Sequence, residues 1–195
     1  MDEMNAGLDR WYTQEEFARF CERFEDELHH CELLNGRIVM NPPAGWPHGH
    51  ATVIASLLLT HVRSCRVGRV LANEQGFDLP SGDTVAPDVA YVSNERWRAA
   101  PKPRPGKFLR VVPDLAVQVL SESTAARDRG EKKGIYERNG VLEYWIVDLE
   151  AVSIARFHLQ DGLFGMPVIF GIDDVFESRL LDGLRFPVRE IAPEP

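Results

Sequence analysis

The sequence predicts a single domain of the α/β class over residues 1–195, in which helices cover a central β-sheet. Its length fits one domain that can bury a sizeable core. Hydrophobic residues make up 44% of the chain and charged residues 27%, which are values typical of globular proteins. In residues 113–148, an apolar strand, a cationic helix and a second apolar strand follow one another. This order is typical of a sheet with a helix packed on its face.

The N-terminal segment, residues 1–30, is expected to place a helix against the sheet. Thr13 and Glu16 form a capping-box pattern, in which each residue can bond a free backbone N–H at the helix start. The helix that begins there is predicted to run to about Phe24.

A β-hairpin follows at residues 31–40. Asn35 and Gly36 stand between two apolar runs and are a strong signal for a two-residue turn. Side chains alternate along a strand, so Glu32 and Leu34 are expected on one face. Glu32 is either a solvated side chain or a member of a functional site, and both interpretations stay open.

Residues 41–50 have the composition of a loop, and residues 51–64 that of an apolar helix. His50 stands near the start of this helix. It is either an accessory group of a functional site or a hydrogen-bonded structural histidine.

Residues 67–79 are predicted to be extended, and a turn at residues 80–84 leads into the next strand. Pro87 and Asp88 begin that strand, which covers residues 88–92. Its alternation places Asp88 and Ala90 on one face and Tyr91 on the other.

Residues 96–112 form a basic segment that contains no acidic residue. Its prolines and glycine predict a loop. The segment is either a solvated connector or an arm that contacts the phosphates of DNA. Its cationic residues are Arg96, Arg98, Lys102, Arg104, Lys107 and Arg110.

In the strand–helix–strand unit, Gln118 is the one polar residue of the first apolar run and needs a partner or a purpose. The helix is predicted to run from about Thr124 to Asn139. Asp128, Lys132 and Tyr136 follow one another at spacings of four residues, so they share one helix face. If that face packs on the sheet, Lys132 approaches Gln118.

The C-terminal part is predicted to extend the sheet or cover its edge. Residues 152–159 and 164–172 form a hairpin pattern across a turn at residues 160–162. A further apolar pattern runs over residues 175–191.

The composition also bounds location and chemistry. The N-terminus lacks the features of a signal peptide, no apolar run is long enough to span a bilayer, and Cys21, Cys31 and Cys65 suit a reducing compartment. We therefore expect a cytoplasmic protein without a membrane partner. The net charge of −8 argues against strong nonspecific binding of nucleic acid. The sequence contains no phosphate-binding glycine loop and no GxSxG element, which excludes several enzyme classes.

The remaining constellation is Asp88, Gln118 and Lys132, on a strand, a strand and a helix. A carboxylate and a second oxygen ligand at adjacent strand ends can hold a hard cation such as Mg²⁺. A nearby ammonium group can orient a water or offset charge on a phosphoryl oxygen. Such a trio could cleave a phosphodiester bond.

The order and spacing of several motifs resemble the Uma family of restriction endonuclease-like proteins, placed in the PD-(D/E)XK nuclease superfamily. The motifs are ELLNGRIVM, PDVAYV, PDLAVQVLS, DRGEKKGIY and GVLEYWIVD. The resemblance covers most of the chain, from about Cys31 onward. It implies a restriction endonuclease-like core with a mixed sheet, cleavage of DNA dependent on Mg²⁺ or Mn²⁺, and a homodimer.

By the same resemblance, Asp88, Gln118 and Lys132 are the catalytic residues. Asp88, Gln118, the main-chain carbonyl of Val119 and Glu32 would hold the metal. The family usually has glutamate where this chain has Gln118. The family resembles those superfamily members in which the catalytic lysine has moved from the strand to the following helix, where Lys132 fits.

Tyr136 and His50 are accessory candidates. DNA-contacting residues are expected in the basic segment, at Arg96, Arg98, Lys102, Arg104 and Lys107. Gln118 can coordinate a cation through its amide oxygen but brings no negative charge, so a weaker site is expected.

Two functions remain open. The first is a metal-dependent endodeoxyribonuclease, a hydrolase. The second is a catalytically weakened or inactive nuclease-fold protein that binds nucleic acid or a protein partner, which is consistent with Gln118 and with the acidic net charge.

Overall fold

The centre of the fold is a mixed β-sheet, seen in a computed structural model that describes residues 10–23, 31–41, 45–72 and 75–193. Its strands are β3 Gly68–Ala72, β6 Val89–Ser93, β7 Leu115–Val119, β8 Glu143–Asp148, β9 Ser153–Gln160, β10 Leu163–Phe164 and β11 Val168–Phe170. Their order is β10-β9-β8-β7-β6-β3, and β11 also pairs with β9. β7 and β8 are parallel, whereas the other pairs are antiparallel.

Each face of this sheet is covered by one long helix. Helix α2, Ala51–Cys65, packs on one face, where Leu58 belongs to the same core as Val117. A short helix after β6, α3 Asn94–Ala99, contains the first residues of the basic segment, so the predicted loop is wrong there. Helix α4, residues 125–138, covers the other face, where Ile135 belongs to the same core as Ala116. The predicted alternation of the Asp88 strand is confirmed for Ala90 and Tyr91, which lie in the two different cores.

Between its α-helical ends, α4 contains one π-helical turn, Asp128–Lys132. The predicted helix is therefore correct in place, but its geometry differs from a regular α-helix. The spacing of the apolar residues does not indicate the π-helical turn, because the flanking turns, Ala125–Arg127 and Lys133–Arg138, keep α-helical geometry. The helix ends before Gly140, whose φ of 75° suits the residue just past a helix end.

A second, smaller sheet carries the predicted hairpin. Asn35 and Gly36 adopt φ angles of 48° and 74°, as a two-residue hairpin turn of this type requires. The predicted pairing of Glu32 with Val39 is confirmed. The order of this sheet is β2-β1-β5-β4, with strands β1 Cys31–Leu34, β2 Arg37–Met40, β4 Phe77–Asp78 and β5 Thr84–Val85.

Helix α1, Gln14–Arg23, packs on this hairpin through the buried Phe17. Its capping box is confirmed, because the Thr13 N–H donates to Glu16 at 2.9 Å and the Glu16 N–H donates to the Thr13 hydroxyl at 3.2 Å. The predicted end at Phe24 and the rest of the N-terminal segment, residues 1–9 and 24–30, lie outside the described residues. The assignment of residues 1–195 to one domain stays a prediction.

The C-terminal hairpin is confirmed between β9 and β10, with Asp161 and Gly162 at its turn. A last hairpin, β12 Val175–Glu177 with β13 Arg185–Pro187, packs against the α2 side of the core. No helix within the described ranges is both long and apolar enough to cross a membrane.

Candidate active site

Asp88 lies immediately before β6, at the edge of the sheet where β7 ends. It is placed there because β6 and β7 are antiparallel and pair Val89 with Val117. The Asp88 Oδ2 atom accepts a hydrogen bond from the Val119 N–H at 2.7 Å. Its Oδ1 atom is 2.9 Å from the Nε2 atom of His48. Asp88 is therefore fixed by main chain on one side and by an imidazole on the other.

Gln118 is buried, with 4% of its surface exposed. Its side chain links Asp88 to helix α4. Its amide orientation follows from its partners, since only one orientation satisfies all of them. The amide nitrogen then donates to Asp88 Oδ2 at 3.1 Å. The amide oxygen accepts from Tyr136 Oη at 3.0 Å and from Lys132 Nζ at 2.9 Å. The polar group that the sequence left without a partner thus bonds three side chains.

Lys132 is buried in the same cluster, where its Nζ atom lies 2.9 Å from Glu32 Oε1 and 3.8 Å from Asp128 Oδ1. Burial alone would lower the pKa of Lys132, but the neighbouring Glu32 and Asp128 carboxylates outweigh it and raise the pKa above its usual value. The ammonium group therefore stays protonated. It can stabilise negative charge, but it cannot accept a proton from water near neutral pH.

Glu32 uses both of its carboxylate oxygens within the cluster. Oε1 accepts from Lys132 and from the Ala86 N–H at 2.8 Å, and Oε2 accepts from Asn41 Nδ2 at 3.0 Å. Its predicted role as a metal ligand stays a prediction. In the structure, Glu32 holds Lys132 and joins the hairpin to the central sheet.

Tyr136 is fully buried beside Lys132 and Gln118. Burial raises the pKa of its hydroxyl, so the phenol stays protonated and acts as a donor to Gln118. Its ring packs on Tyr144 with centroids 5.0 Å apart. The predicted accessory residue thus belongs to the cluster as an orienting group.

Asp128 lies beside Lys132, on the helix face where the sequence placed it, although the sequence assigned it no role. It is 1% exposed, and neither carboxylate oxygen has a hydrogen-bond partner among the described residues. Burial raises the pKa of its carboxyl group, although the charge of Lys132 acts in the opposite direction. Its only ion pair in this part of the chain is the 3.8 Å contact with Lys132.

His48 is the histidine that reaches the site, whereas the sequence favoured His50 as the candidate. His48 lies in a short 3-10 helix, His48–His50, just before α2. Within the described ranges, the structure gives the His50 ring no hydrogen bond to Asp88 or to any other member of the cluster. The two histidines are two residues apart in a loop, and helical spacing alone does not say which ring faces the sheet.

The basic segment lies at the opposite end of β6 and β7 from Asp88, because it connects the end of β6 to the start of β7. Arg96 points inward, where it pairs with Asp114 at 3.2 Å and donates to the Gly140 carbonyl at 2.9 Å. Lys107 pairs with Glu22. Arg98, Lys102 and Arg104 have no ion pair among the described residues. A role of this segment in binding DNA stays a prediction.

Asp88, Gln118, Val119, Glu32, Lys132 and Tyr136 therefore converge in one connected group, which we call the Asp88–Lys132 cluster. Comparison with known proteins identifies the family of the chain. Residues 14–189 match the Uma2 family, which is described as "Putative restriction endonuclease". The chain belongs to the Uma2 family. The resemblance drawn from the sequence motifs is confirmed.

Two relatives of this Uma2 protein illustrate the similarity. An uncharacterized protein from Synechocystis sp. is 28% identical over 185 residues, which cover 90% of this chain and 88% of the relative. A crystal structure from Anabaena variabilis, described as "a putative nuclease belonging to DUF820", superposes with a TM-score of 0.70. It is 15% identical and the match covers 84% of this chain and 89% of that chain. This likeness confirms the predicted nuclease fold.

We predict that Asp128→Asn stabilises the protein near neutral pH. The pKa of Asp128 is raised in the folded state, so its ionisation costs stability, and that cost grows as pH rises from the unfolded pKa, about 3.9, through the folded pKa. Thermal unfolding at pH 7 should show a midpoint higher by about 2 °C. At pH 3, where the carboxyl is protonated in both states, the gain should vanish.

Asp173→Asn is the matched control, because Asp173 is 89% exposed and pairs with Arg189 at the surface. It should leave the midpoint nearly unchanged at both pH values. A lower midpoint for Asp128→Asn at pH 7 would show instead that the carboxylate stabilises the fold through Lys132.

Proposed function

We propose that this Uma2 protein is a metal-dependent endonuclease that cleaves phosphodiester bonds of DNA. The observation that carries the proposal is the convergence of Asp88, Gln118 and Lys132 in one hydrogen-bonded group at the end of strand β7. An acidic oxygen, a neutral oxygen and a cation in one site are the groups that metal-assisted phosphodiester hydrolysis uses. Membership of the family supports the same class of reaction.

The residues present fit a hard divalent cation, though with few anionic ligands. Among the described residues, no group of three or more His, Cys, Asp or Glu side chains could hold a metal ion. Mg²⁺ often takes only one or two carboxylates and keeps several waters. Asp88 would supply the carboxylate, and the Val119 carbonyl would supply a neutral oxygen. The Gln118 amide would add a second neutral oxygen only after its oxygen turns away from Lys132. Low millimolar rather than micromolar affinity is the physical expectation.

Each residue then has a distinct role in the proposed reaction. A bound Mg²⁺ or Mn²⁺ ion supplies Lewis acidity and lowers the pKa of a coordinated water. Lys132, kept cationic by Glu32, stabilises negative charge on a phosphoryl oxygen. Tyr136 orients Gln118, and His48 orients Asp88. The raised pKa of Lys132 supports charge stabilisation over proton abstraction as its role.

One feature of Gln118 favours a second candidate function, that of a weakened or inactive nuclease-fold protein that binds nucleic acid or a protein partner. A carboxylate at this position could accept from Lys132 with one oxygen and face a cation with the other. The Gln118 amide has a single oxygen, which already accepts from Lys132 and Tyr136, while its N–H group faces Asp88. Binding a cation through this oxygen requires the amide to rotate and give up its bond with Lys132.

We also propose a cytoplasmic location, which is supported by three free cysteines at positions 21, 31 and 65. Burial raises the pKa of the Cys21 thiol to about 12 and that of Cys31 to about 11, so both stay protonated and unreactive.

We predict that Asp88→Asn abolishes metal binding and metal-dependent cleavage together. The substitution keeps the shape of the side chain but removes the one carboxylate that lies on the candidate ligand set. Calorimetry with Mg²⁺ and Mn²⁺ should show binding to the wild type only. Nicking of a supercoiled plasmid should fall at least about 100-fold in the variant, as expected when an essential ligand is lost.

Asp173→Asn serves as the control here too, because this carboxylate is 89% exposed and pairs with Arg189 at 3.2 Å, outside the Asp88–Lys132 cluster. It should keep both metal binding and nicking. A folded wild type that neither binds millimolar metal nor nicks the plasmid would refute the catalytic proposal and leave the second candidate.

We predict that Gln118→Glu raises the affinity for Mg²⁺ about tenfold, because the added carboxylate can serve Lys132 and the cation at once. Calorimetry on the two proteins measures the change. If the wild type is already active, the variant should cleave at a lower Mg²⁺ concentration. If activity appears only in the variant, the wild-type protein is an inactive nuclease fold.

We further propose a homodimer formed through β11. This strand pairs with β9 on one side, and within the described residues its other edge has no partner strand. Ile169 is 67% exposed there, and an apolar edge strand is a template for pairing with another chain. Light scattering should give twice the chain mass for the wild type and a monomer for Ile169→Lys. The exposed control Glu190→Lys should stay dimeric, and a monomeric wild type would refute the proposal.

A further inference from the structure

A cleft of about 810 Å³ opens beside the Asp88–Lys132 cluster and has no role in the proposed chemistry. Its lining includes His48, which bonds Asp88 of the cluster at 2.9 Å. It also includes Leu120. Leu120 follows Val119, and the Val119 N–H donates to the Asp88 carboxylate. Anything held in the cleft is thus one side chain away from Asp88. Its principal lining residues are Trp46, His48, Ser121, Glu122, Arg129 and Asp148.

The wall of this cleft carries an exposed tryptophan. Trp46 is 76% exposed, although an indole ring loses favourable burial when it stays in water. Only Pro47 separates it from His48, whose part-buried side chain contacts Asp88, so its position is tied to the site. An exposed aromatic face beside a site for a nucleic-acid backbone is the usual platform on which an unpaired base stacks.

The polar lining of the cleft selects a base over a phosphate. Asp148, Glu122 and Glu150 place carboxylates along it, and these repel a phosphate group. Carboxylates accept hydrogen bonds from exocyclic amino groups of bases, such as N4 of cytosine. The hydroxyl groups of Ser121 and Ser123 add donors and acceptors at the same level. Arg129 is the one lysine or arginine among the described residues that line the cleft, and its guanidinium group lies 3.6 Å from the Asp148 carboxylate.

From these observations we infer that the cleft binds one unpaired, amino-bearing base of a DNA strand, stacked on Trp46 next to the phosphate that faces Asp88. This inference rests on the proposed nuclease function for its substrate class. A base inside a duplex is stacked on both faces and cannot occupy the cleft. The preferred substrate is therefore a single strand, a flap or a frayed end rather than an intact duplex.

The test measures binding without catalysis. Oligo-dC, oligo-dT and a blunt duplex, each carrying a fluorescent label at one 5′ end, are titrated with the wild type, Trp46→Ala and Trp11→Ala in the presence of EDTA, with the fluorescence anisotropy of the label as the readout. Wild type should bind oligo-dC more tightly than oligo-dT or the duplex. Trp46→Ala should lose about tenfold in affinity for oligo-dC and little for the duplex.

Trp11→Ala is the matched control, because Trp11 is 75% exposed but packs beside Gly36 and does not line the cleft. It should bind oligo-dC as the wild type does. Trp46→Phe keeps an aromatic face and should recover most of the affinity. Circular dichroism melting of each variant confirms that it is folded.

Equal affinity of the wild type and Trp46→Ala for oligo-dC, or no binding of oligo-dC by the wild type, would overturn the inference. Equal affinity of the wild type for oligo-dC and oligo-dT would overturn the recognition of the amino group. Because these titrations contain no metal, an inactive protein can still pass them. Conversely, plasmid nicking by a protein that fails them would leave the proposed function intact and remove only the base site.

Discussion

The buried ion pair between Lys132 and Glu32 is the contact on which the arrangement of the site depends. Both side chains are almost completely shielded from water, at 5% and 2% exposure. Neither charge could be buried alone without a cost of several kcal/mol. Glu32 belongs to the small sheet and Lys132 to the helix across the central sheet, so this pairing fixes how the two layers meet. Gln118 and Tyr136 then complete the bonds of the ammonium group.

The sheet topology explains why this charge cluster forms at one edge. β6 is antiparallel to β7, and this pairing brings Asp88, the residue before β6, next to the last residues of β7. Because β7 and β8 are parallel, the chain must cross from one end of the sheet to the other between them, and α4 makes that crossing over the Gln118 face. The helix therefore begins above the end of β7, where Asp128 and Lys132 meet Gln118. The loop that joins β6 to β7 falls at the other end for the same reason.

Much of the site could be predicted from the sequence, because local patterns determine its parts. Asn35-Gly36 fixed the register that carries Glu32, and the spacing of Lys132 and Tyr136 fixed a shared face. His48 was missed because a choice between two histidines in a loop depends on tertiary contacts. Arg96 was grouped with the basic segment, since composition does not show that a guanidinium turns inward to bond Asp114 and backbone carbonyls. The π-helical turn and the unpartnered carboxylate of Asp128 likewise have no local signature.

The members of the Asp88–Lys132 cluster come from four separate stretches of chain, at residues 32, 88, 118–119 and 132–136. No contiguous piece shorter than about half the chain contains them all. During synthesis, a ribosome-bound chain that ends before Lys132 carries the acidic groups of the site but lacks their cation. The complete cluster therefore exists only once Lys132 has been synthesised and α4 has docked on the sheet. A fragment from either half of the chain would carry only part of the cluster.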